Sequence, residues 1–206
     1  MGTVDNWIEP AAAATAQLAA YVCLAAGLRP EGPLGESLAL GLVTDTGGFL
    51  HGSTTAAVFR LAALLSDSGC DIHKLREKLD NNWSPARMAL WVRLMQRVEI
   101  SCDGRAALAL ARLEDLRQCG ALKEDLEGLV EQFRRLRGVE ASGILREDAP
   151  GVYKLSLRST GTTDVRSVAV QFGGGGHRNA AGGTLRMEGE EAFDAVRTAL
   201  CRMLRG

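Results

Sequence analysis

The segment Gly173–Gly183, GGGGHRNAAGG, restricts this chain more than any other stretch. Four consecutive glycines bring no side chain to a core, and each loses more backbone entropy on ordering than any other residue. Core packing therefore gives no reason for the run. What it supplies is freedom of φ and backbone N–H groups with nothing standing over them, which a polyanion needs in order to approach closely. His177, Arg178 and Asn179 follow at once, so three polar tips converge on one turn. The flanking segments Val168–Phe172 and Thr184–Met187 read as ordered elements, which argues against a slack surface loop.

The apolar spacing changes period near Val98–Ser101, and that change divides the chain. Before it, helices are predicted at Ala11–Gly27 (alanine-rich, with Leu18, Tyr21, Val22 and Leu24 as its stripe) and at Leu34–Val43. A third carries Val58, Leu61, Leu64 and Leu65 behind a Ser53 or Thr54 cap, and Gly69 stops it. Asp71 caps a short helix with Ile72, Leu75 and Leu79 inward, and Ser84–Pro85 opens another with Met88, Trp91, Leu94, Met95 and Val98 buried. After the change, Val98–Ser101 and Ala106–Ala111 form a hairpin across Asp103–Gly104, and Leu122–Leu136 is a charged amphipathic helix. Val139–Arg146 and Val152–Arg158 pair across Asp148–Gly151, and Asp164 caps a short helix, Val165–Phe172. A strand at Thr184–Met187 and a closing helix at Glu191–Leu204 complete the reading. The expected fold class is α/β: a helix-rich part, residues 1–97, then residues 98–206 around a mixed sheet.

With 206 residues there is room for two modest domains, and a formal net charge of −1 excludes a protein that coats long nucleic acids through many phosphate contacts. A nucleotide needs only a local positive pocket, so a nucleotide substrate stays open. The five cysteines are odd in number and widely spaced, with no CxxC pair, so neither a disulfide framework nor a thiolate zinc site is expected. Reduced cysteines in a cytoplasmic protein follow from that reading. No apolar run nears the roughly 20 residues that span a bilayer, and Met1–Pro10 is no signal peptide.

Two constellations can carry chemistry. The first joins Ser156–Thr160 to the glycine run: Arg158 falls at the C-terminal end of a predicted strand, where open α/β sheets bind ligands. A guanidinium fork there, facing the N–H groups of Gly174, Gly175 and Gly176, is a phosphate or carboxylate clamp. His177 adds a donor to a phosphate oxygen or caps a helix; Asn179 meets a base or sugar or holds the turn; Arg158 is otherwise a surface arginine. The run is no dinucleotide fingerprint, because it follows a helix late in the chain. The second constellation is Asp45–Thr46–Gly47, a carboxylate on a glycine turn, suited to a hard divalent cation. One carboxylate makes no metal site, His51 and His73 read as structural or surface residues, and neither Asp-x-Asp nor Asp-His-His occurs.

These residues carry a resemblance. GLVTDTGGFLHGSTT at Gly41–Thr55, followed by ALLSDSGCDIHKL, resembles the fourth metal-binding motif and following helices of the DHH phosphoesterases. SLRS at Ser156–Ser159 with FGGGGHRNAAGG at Phe172–Gly183 is similar to the substrate-binding DHHA1 domain of that family. The branch it resembles most is that of small bacterial enzymes that degrade short oligoribonucleotides and dephosphorylate 3′-phosphoadenosine 5′-phosphate. DNWIEPAAAATAQL at Asp5–Leu18 resembles the segment just downstream of the Asp-His-His motif there.

The resemblance implies a helix-rich remainder of a DHH catalytic domain (1–97) followed by an α/β DHHA1 domain (98–206). It implies a hydrolase using two Mn²⁺ ions to activate a bridging water. Asp45 is the one metal ligand and catalytic residue it carries over. Arg158, Ser159, Gly174, Gly175, Gly176, His177 and Asn179 are the implied substrate-binding residues. The family's early aspartates and the Asp-His-His motif have no counterpart here, so the expectation is a piece of a longer enzyme or a naturally shortened chain. The implied partners are short single-stranded RNA or nucleotide phosphates. A homodimer is conceivable through the alanine-rich helix face, and no membrane is involved. The competing readings are a non-catalytic nucleotide- or RNA-binding module, a cyclic or linear dinucleotide phosphodiesterase, and a purely structural interaction domain.

Overall fold

The computed structural model describes residues 7–206, so the opening of the Asp5–Leu18 segment lies outside the described residues. Two compact units follow one another along the chain, one ending at Asn82 and the other running Trp83–Gly206. The sequence-based boundary at 97/98 falls inside the second, because the helix Pro85–Met95 buries Leu90, Trp91 and Leu94 against Ala107, Ala109 and Ile144 of the sheet.

Among the described residues the first unit has four helices, α1 (Thr15–Ala25), α2 (Gly32–Asp45), α3 (Ala56–Asp67) and α4 (Ile72–Asp80). Ala14 ahead of α1, with Ala20, Leu38, Ala39, Leu42, Val58, Leu61 and Leu65, forms its core. The fully buried residues of α1 are Gln17 and Ala20, while Leu18, Tyr21 and Leu24 of the expected stripe are half-buried and Val22 is over half exposed. Small residues face inward because α1 and α2 approach closely: a Cβ on Gly41 would stand 2.7 Å from the Ala16 Cβ. The buried Gln17 is satisfied, accepting from the Ala13 N–H at 2.9 Å and donating to the Tyr21 hydroxyl at 3.0 Å. No side chain caps α3, whose N-cap position is Thr55 and not Ser53 or Thr54. Asp71 caps α4, accepting from the Lys74 N–H at 2.8 Å, although α4 buries none of its residues.

The second unit opens with α5 (Pro85–Met95), whose cap Ser84 accepts from the Arg87 N–H at 2.9 Å. Met88 and Met95, expected inside, are exposed, and Leu90 takes the buried position. Strands β1 (Glu99–Ser101) and β2 (Ala106–Ala111) form the expected hairpin. Then come α6 (Leu113–Cys119), a 3-10 turn at Lys123–Leu126, and α7 (Leu129–Phe133). The long helix expected over Leu122–Leu136 is thus broken. Gly128, at φ 85°, turns the chain where a Cβ would meet the Trp91 ring at 3.5 Å, and the Trp91 indole N–H donates to the Asp125 carbonyl at 2.7 Å. Strands β3 (Ala141–Ala149) and β4 (Val152–Ser159) follow, then α8 (Arg166–Gln171), β5 (Gly175–His177), β6 (Ala180–Arg186) and α9 (Gly189–Arg205).

The six strands form one sheet in the order β1-β2-β3-β4-β6-β5, with β2 and β3 parallel and every other pair antiparallel. The mixed sheet was expected; what the sequence reading lacked is the short edge strand made of the glycine run itself. One sheet face, through Leu108, Leu145, Leu155, Leu157, Ala181 and Leu185, packs on α8 and α9. On the other face, α5, α6 and α7 cover β2 and β3 through Ala107, Ala109, Ala111 and Ile144. Strand β2, sandwiched between both layers, is buried at every position, as its AALALA sequence allows.

The cysteine reading needs correction. Cys102, at the tip of the β1–β2 turn, is disulfide-bonded to Cys201 in α9, with their Cα atoms 5.0 Å apart. Ninety-nine residues separate them, so spacing gave no hint of a pairing that the fold creates. Cys23, Cys70 and Cys119 are free thiols, and burial pushes the Cys70 thiol up.

Candidate functional site

Strand β4 alternates cleanly. Tyr153, Leu155 and Leu157 point into the core beneath α8 and α9, while Lys154, Ser156 and Arg158 stand on the opposite face. On that face, pairing register aligns side chains across the strands. Arg158 pairs with Ala180 of β6, and Ala180 pairs with His177 of β5, so Arg158 and His177 share one row with only a methyl group between them. In the next row Ser156, Gly182 and Gly175 stand side by side. Adjacent strands lie roughly 4.8 Å apart, so the Arg158 and His177 backbones are about 10 Å apart. Two polar tips with small residues between them make a shelf on which a phosphate group can rest.

The glycine run forms the outer edge of the shelf, and its members do different jobs. A Cβ on Gly174 would stand 2.1 Å from the Gly182 carbonyl oxygen, and one on Gly176, at φ 136°, 2.5 Å from the Ala180 oxygen. Both glycines exist so that backbone can approach backbone. This overturns the inference that packing does not need the run. Gly175 differs: nothing lies within 4 Å of its Cβ direction, leaving open space above its peptide.

Arg158 is already engaged. Its Nε donates to Glu131 Oε1 of α7 at 2.8 Å and its Nη1 to the Leu157 carbonyl at 3.0 Å. Ser159 is buried, with its hydroxyl donating to the Thr163 carbonyl at 2.6 Å and accepting from Asn179 Nδ2 at 2.9 Å. Asn179 also reaches the carbonyls of Gly161 and Thr163 at 3.2 and 3.3 Å. The two side chains lock the Ser159–Thr163 connection against the turn that follows β5. His177 is exposed at the end of its strand.

Sequence reasoning missed the neighbours of Arg158 on the same face. Between β3, β4, α7 and the 3-10 turn lies a groove of about 420 Å³, lined by Lys123, Glu131, Ile144, Arg146, Lys154 and Ser156 with Arg158. Arg146 donates to Asp148 at 2.8 and 3.3 Å, and Lys123 meets the same carboxylate at 3.0 Å. The Arg146 hydrogen bond leads these contacts in holding the Asp148 carboxyl below its ordinary range, against the opposing effect of burial. The KLSLR alternation at Lys154–Arg158 was a readable signal for the basic face; Glu131 was hidden by the helix that Gly128 interrupts.

Asp45 belongs to the first unit. It is the exposed last residue of α2, and Thr46 behind it is buried, donating to the Leu42 carbonyl at 2.6 Å. Gly47, Gly48 and Phe49 continue the chain at φ 57°, 67° and 70°, and Phe49 stacks on Phe59 with ring centroids 5.6 Å apart. His51 folds back over this turn: its Nδ1 donates to the Asp45 carbonyl at 3.0 Å, and a Cβ on Gly47 would lie 2.4 Å from its Nε2. Among the described residues no three His, Cys, Asp or Glu side chains gather as a metal-binding group. Among them, too, no helix is long and apolar enough to cross a membrane.

Residues 106–206, which form the mixed sheet with α8 and α9 on one face, match the DHHA1 domain. Over 194 residues the chain is 31% identical to the bifunctional oligoribonuclease and PAP phosphatase of Thermus thermophilus, covering 94% of this chain and 58% of that protein. It is 23% identical over 191 residues to the protein of the same description from Mycoplasma pneumoniae, covering 90% of this chain and 56% of that protein. The crystal structure of an exopolyphosphatase-related protein from Bacteroides fragilis superposes with a TM-score of 0.89 at 28% identity, covering 96% of this chain and 60% of that one. The chain therefore spans somewhat over half the length of each of these three proteins.

Proposed function

We propose that this chain is the substrate-holding part of a phosphoesterase acting on short oligoribonucleotides or nucleotide phosphates such as 3′-phosphoadenosine 5′-phosphate. The observation that supports it most is the Arg158–Ala180–His177 row beside the open Gly175 peptide, within a DHHA1 module. A phosphate seated there takes charge-assisted hydrogen bonds from the guanidinium and a donor from the imidazole, while the alanine and glycine positions let it reach the sheet. Ser159 and Asn179 contribute by fixing the connection after β4. On this reading the first unit is the C-terminal portion of a DHH catalytic domain.

The resemblance implies two Mn²⁺ ions, and the donors present do not fit them. Asp45 supplies one carboxylate, His51 spends its Nδ1 on the Asp45 backbone, and no third donor joins them among the described residues. A divalent pair needs several hard ligands together. Metal-assisted catalysis belongs to a longer protein on this reading. A second reading, a non-catalytic nucleotide- or RNA-binding module, draws on the same shelf and donor shortage. A dinucleotide phosphodiesterase would use the same phosphate grip.

Calorimetric titration of the chain with a short 5′-phosphorylated oligoribonucleotide tests the binding common to these readings. Saturable binding that Arg158→Ala and His177→Ala each weaken is expected. Absence of binding, or binding indifferent to both substitutions, counts against all three. Turnover of a dinucleotide to 5′-mononucleotides by a protein carrying the whole DHH domain then separates enzyme from binding module.

A further inference from the structure

Helical spacing gathers three arginines around one half of the disulfide. Arg197, Cys201 and Arg205 stand four residues apart on one face of α9, with Arg202 beside them, across the sheet from Arg158. With Thr198 they line a surface hollow of about 420 Å³, where Cys201 is partly exposed. Glu99 and Asp194 neutralise Arg197, at 3.0 and 2.9 Å. Arg202 and Arg205 are exposed and have no carboxylate within salt-bridge distance among the described residues, so the hollow is net cationic. The other sulfur has a different setting: Cys102 sits in the β1–β2 turn next to the exposed Asp103. That turn is tied to α9 independently of the disulfide, since Arg105 donates to the Leu204 carbonyl at 2.6 Å and to Glu140 at 2.7 and 3.2 Å.

A hollow of this size suits a small ligand, and guanidinium groups without partners favour carboxylates. We infer that Cys201 is a thiol–disulfide exchange site for a small anionic thiol, such as a carboxylate-bearing tripeptide, with Cys102 as the resolving cysteine. The incoming thiolate attacks Cys201 Sγ and forms a mixed disulfide. The Cys102–Cys201 bond breaks, its electron pair stays on Cys102 Sγ, and that sulfur takes a proton from water. The incoming sulfur is oxidised and Cys102 is reduced, so no further oxidant is needed. Arg202 and Arg205 hold the carboxylates of the incoming thiol, while Asp103 repels it from Cys102. Because Arg105 keeps the turn on α9, Cys102 stays beside Cys201 after opening. Its thiolate then attacks Cys201 Sγ, expels the guest thiolate and restores the original bond. The site takes no part in the proposed phosphate grip.

The test treats the full chain with glutathione, which is anionic, and separately with the cationic thiol cysteamine, then quenches by alkylation and maps the peptides by mass. The expected result is glutathione joined to Cys201 with Cys102 alkylated, and opening about ten-fold faster with glutathione than with cysteamine at equal thiolate concentration. High salt should shrink that preference. Arg202→Ala with Arg205→Ala should abolish it and leave the fold intact, since both side chains are exposed. Once free glutathione is removed, wild type should expel the bound tripeptide, whereas Cys102→Ser loaded with glutathione disulfide should retain it. Glutathione found on Cys102, equal rates with the two thiols, or a preference that survives the double variant overturns the site. Retention by wild type overturns the resolving role of Cys102, and that arm rests on wild type alone should Cys102→Ser fail to fold.

Discussion

Gly174 and Gly175 are neighbours in one run, yet the structure assigns them opposite costs when a methyl group is added. At Gly174 the new Cβ would sit 2.1 Å from the Gly182 oxygen and 2.7 Å from the Gly183 Cα. Both obstacles are backbone, so no side-chain rotation relieves them, and the glycine segment must move away by more than 1 Å to reach ordinary contact. Overpacking of this kind costs about 1–3 kcal/mol, and each strained sheet hydrogen bond adds about 1 kcal/mol. The stiffer unfolded chain returns about 0.4–1 kcal/mol. Gly174→Ala should therefore lose about 2–3 kcal/mol. For a unit of this size the unfolding entropy is about 0.26 kcal/mol/K, so the melting temperature should fall by about 10 °C. Gly175→Ala meets nothing and keeps an ordinary φ, so only the unfolded-chain effect remains and stability should hold or rise slightly. Thermal melts followed through the Trp83–Trp91 pair, whose ring centroids are 4.3 Å apart, report on the second unit directly. Equal losses at the two positions, or none at Gly174, would refute the view that backbone approach selects glycine there.

Other substitutions probe the same unit. Reducing the Cys102–Cys201 bond, or Cys201→Ser, should lower stability by about 2–4 kcal/mol because the bond closes a loop of about a hundred residues; a melt unaffected by reductant would contradict this. Asp115, buried, accepts from Arg93 and Arg97 at 2.6 Å each and from the Arg112 N–H at 2.9 Å. Burial alone would push its carboxyl up, but the Arg112 N–H and the two guanidinium groups together hold it below the ordinary aspartate range. Asp115→Ala should cost about 2–3 kcal/mol, below the fully buried case because both arginines are partly exposed. Since the folded value is the depressed one, wild type's advantage should be complete above the unfolded value of about 3.9 and decline as pH falls toward the folded one. Denaturant titrations at pH 7 and pH 3 check the sign. Glu131→Gln removes the carboxylate that competes for Arg158 and should tighten binding of a phosphorylated dinucleotide several-fold in calorimetry; weaker binding would show that Glu131 positions the guanidinium instead.

The sequence was most legible where local chemistry decides the outcome. The Ser84 and Asp71 caps, the Asp103–Gly104 hairpin and the inward stripe of α9 follow from residues within a few positions of one another. It was least legible where distant segments decide. The break at Gly128 depends on Trp91 packing beneath it, the small inner face of α1 on the approach of α2, and the disulfide on α9 reaching the β1–β2 turn. The candidate site shows the same division. Arg158 and the glycine run were visible as motifs, but the row that joins Arg158 to His177 exists only through the register of β4, β6 and β5. That Ser159 and Asn179 face each other across the connection was equally invisible, since their contact spans twenty residues.

Amide hydrogen exchange of the chain with and without a short 5′-phosphorylated oligoribonucleotide tests the central claim most directly, because it reports where the ligand sits. Slowed exchange is expected at Gly174–His177 and at the Arg158 end of β4, with α8 and α9 on the opposite sheet face unchanged. Protection on the α8–α9 face, or no protection in β4 and β5 at saturating ligand, would contradict it.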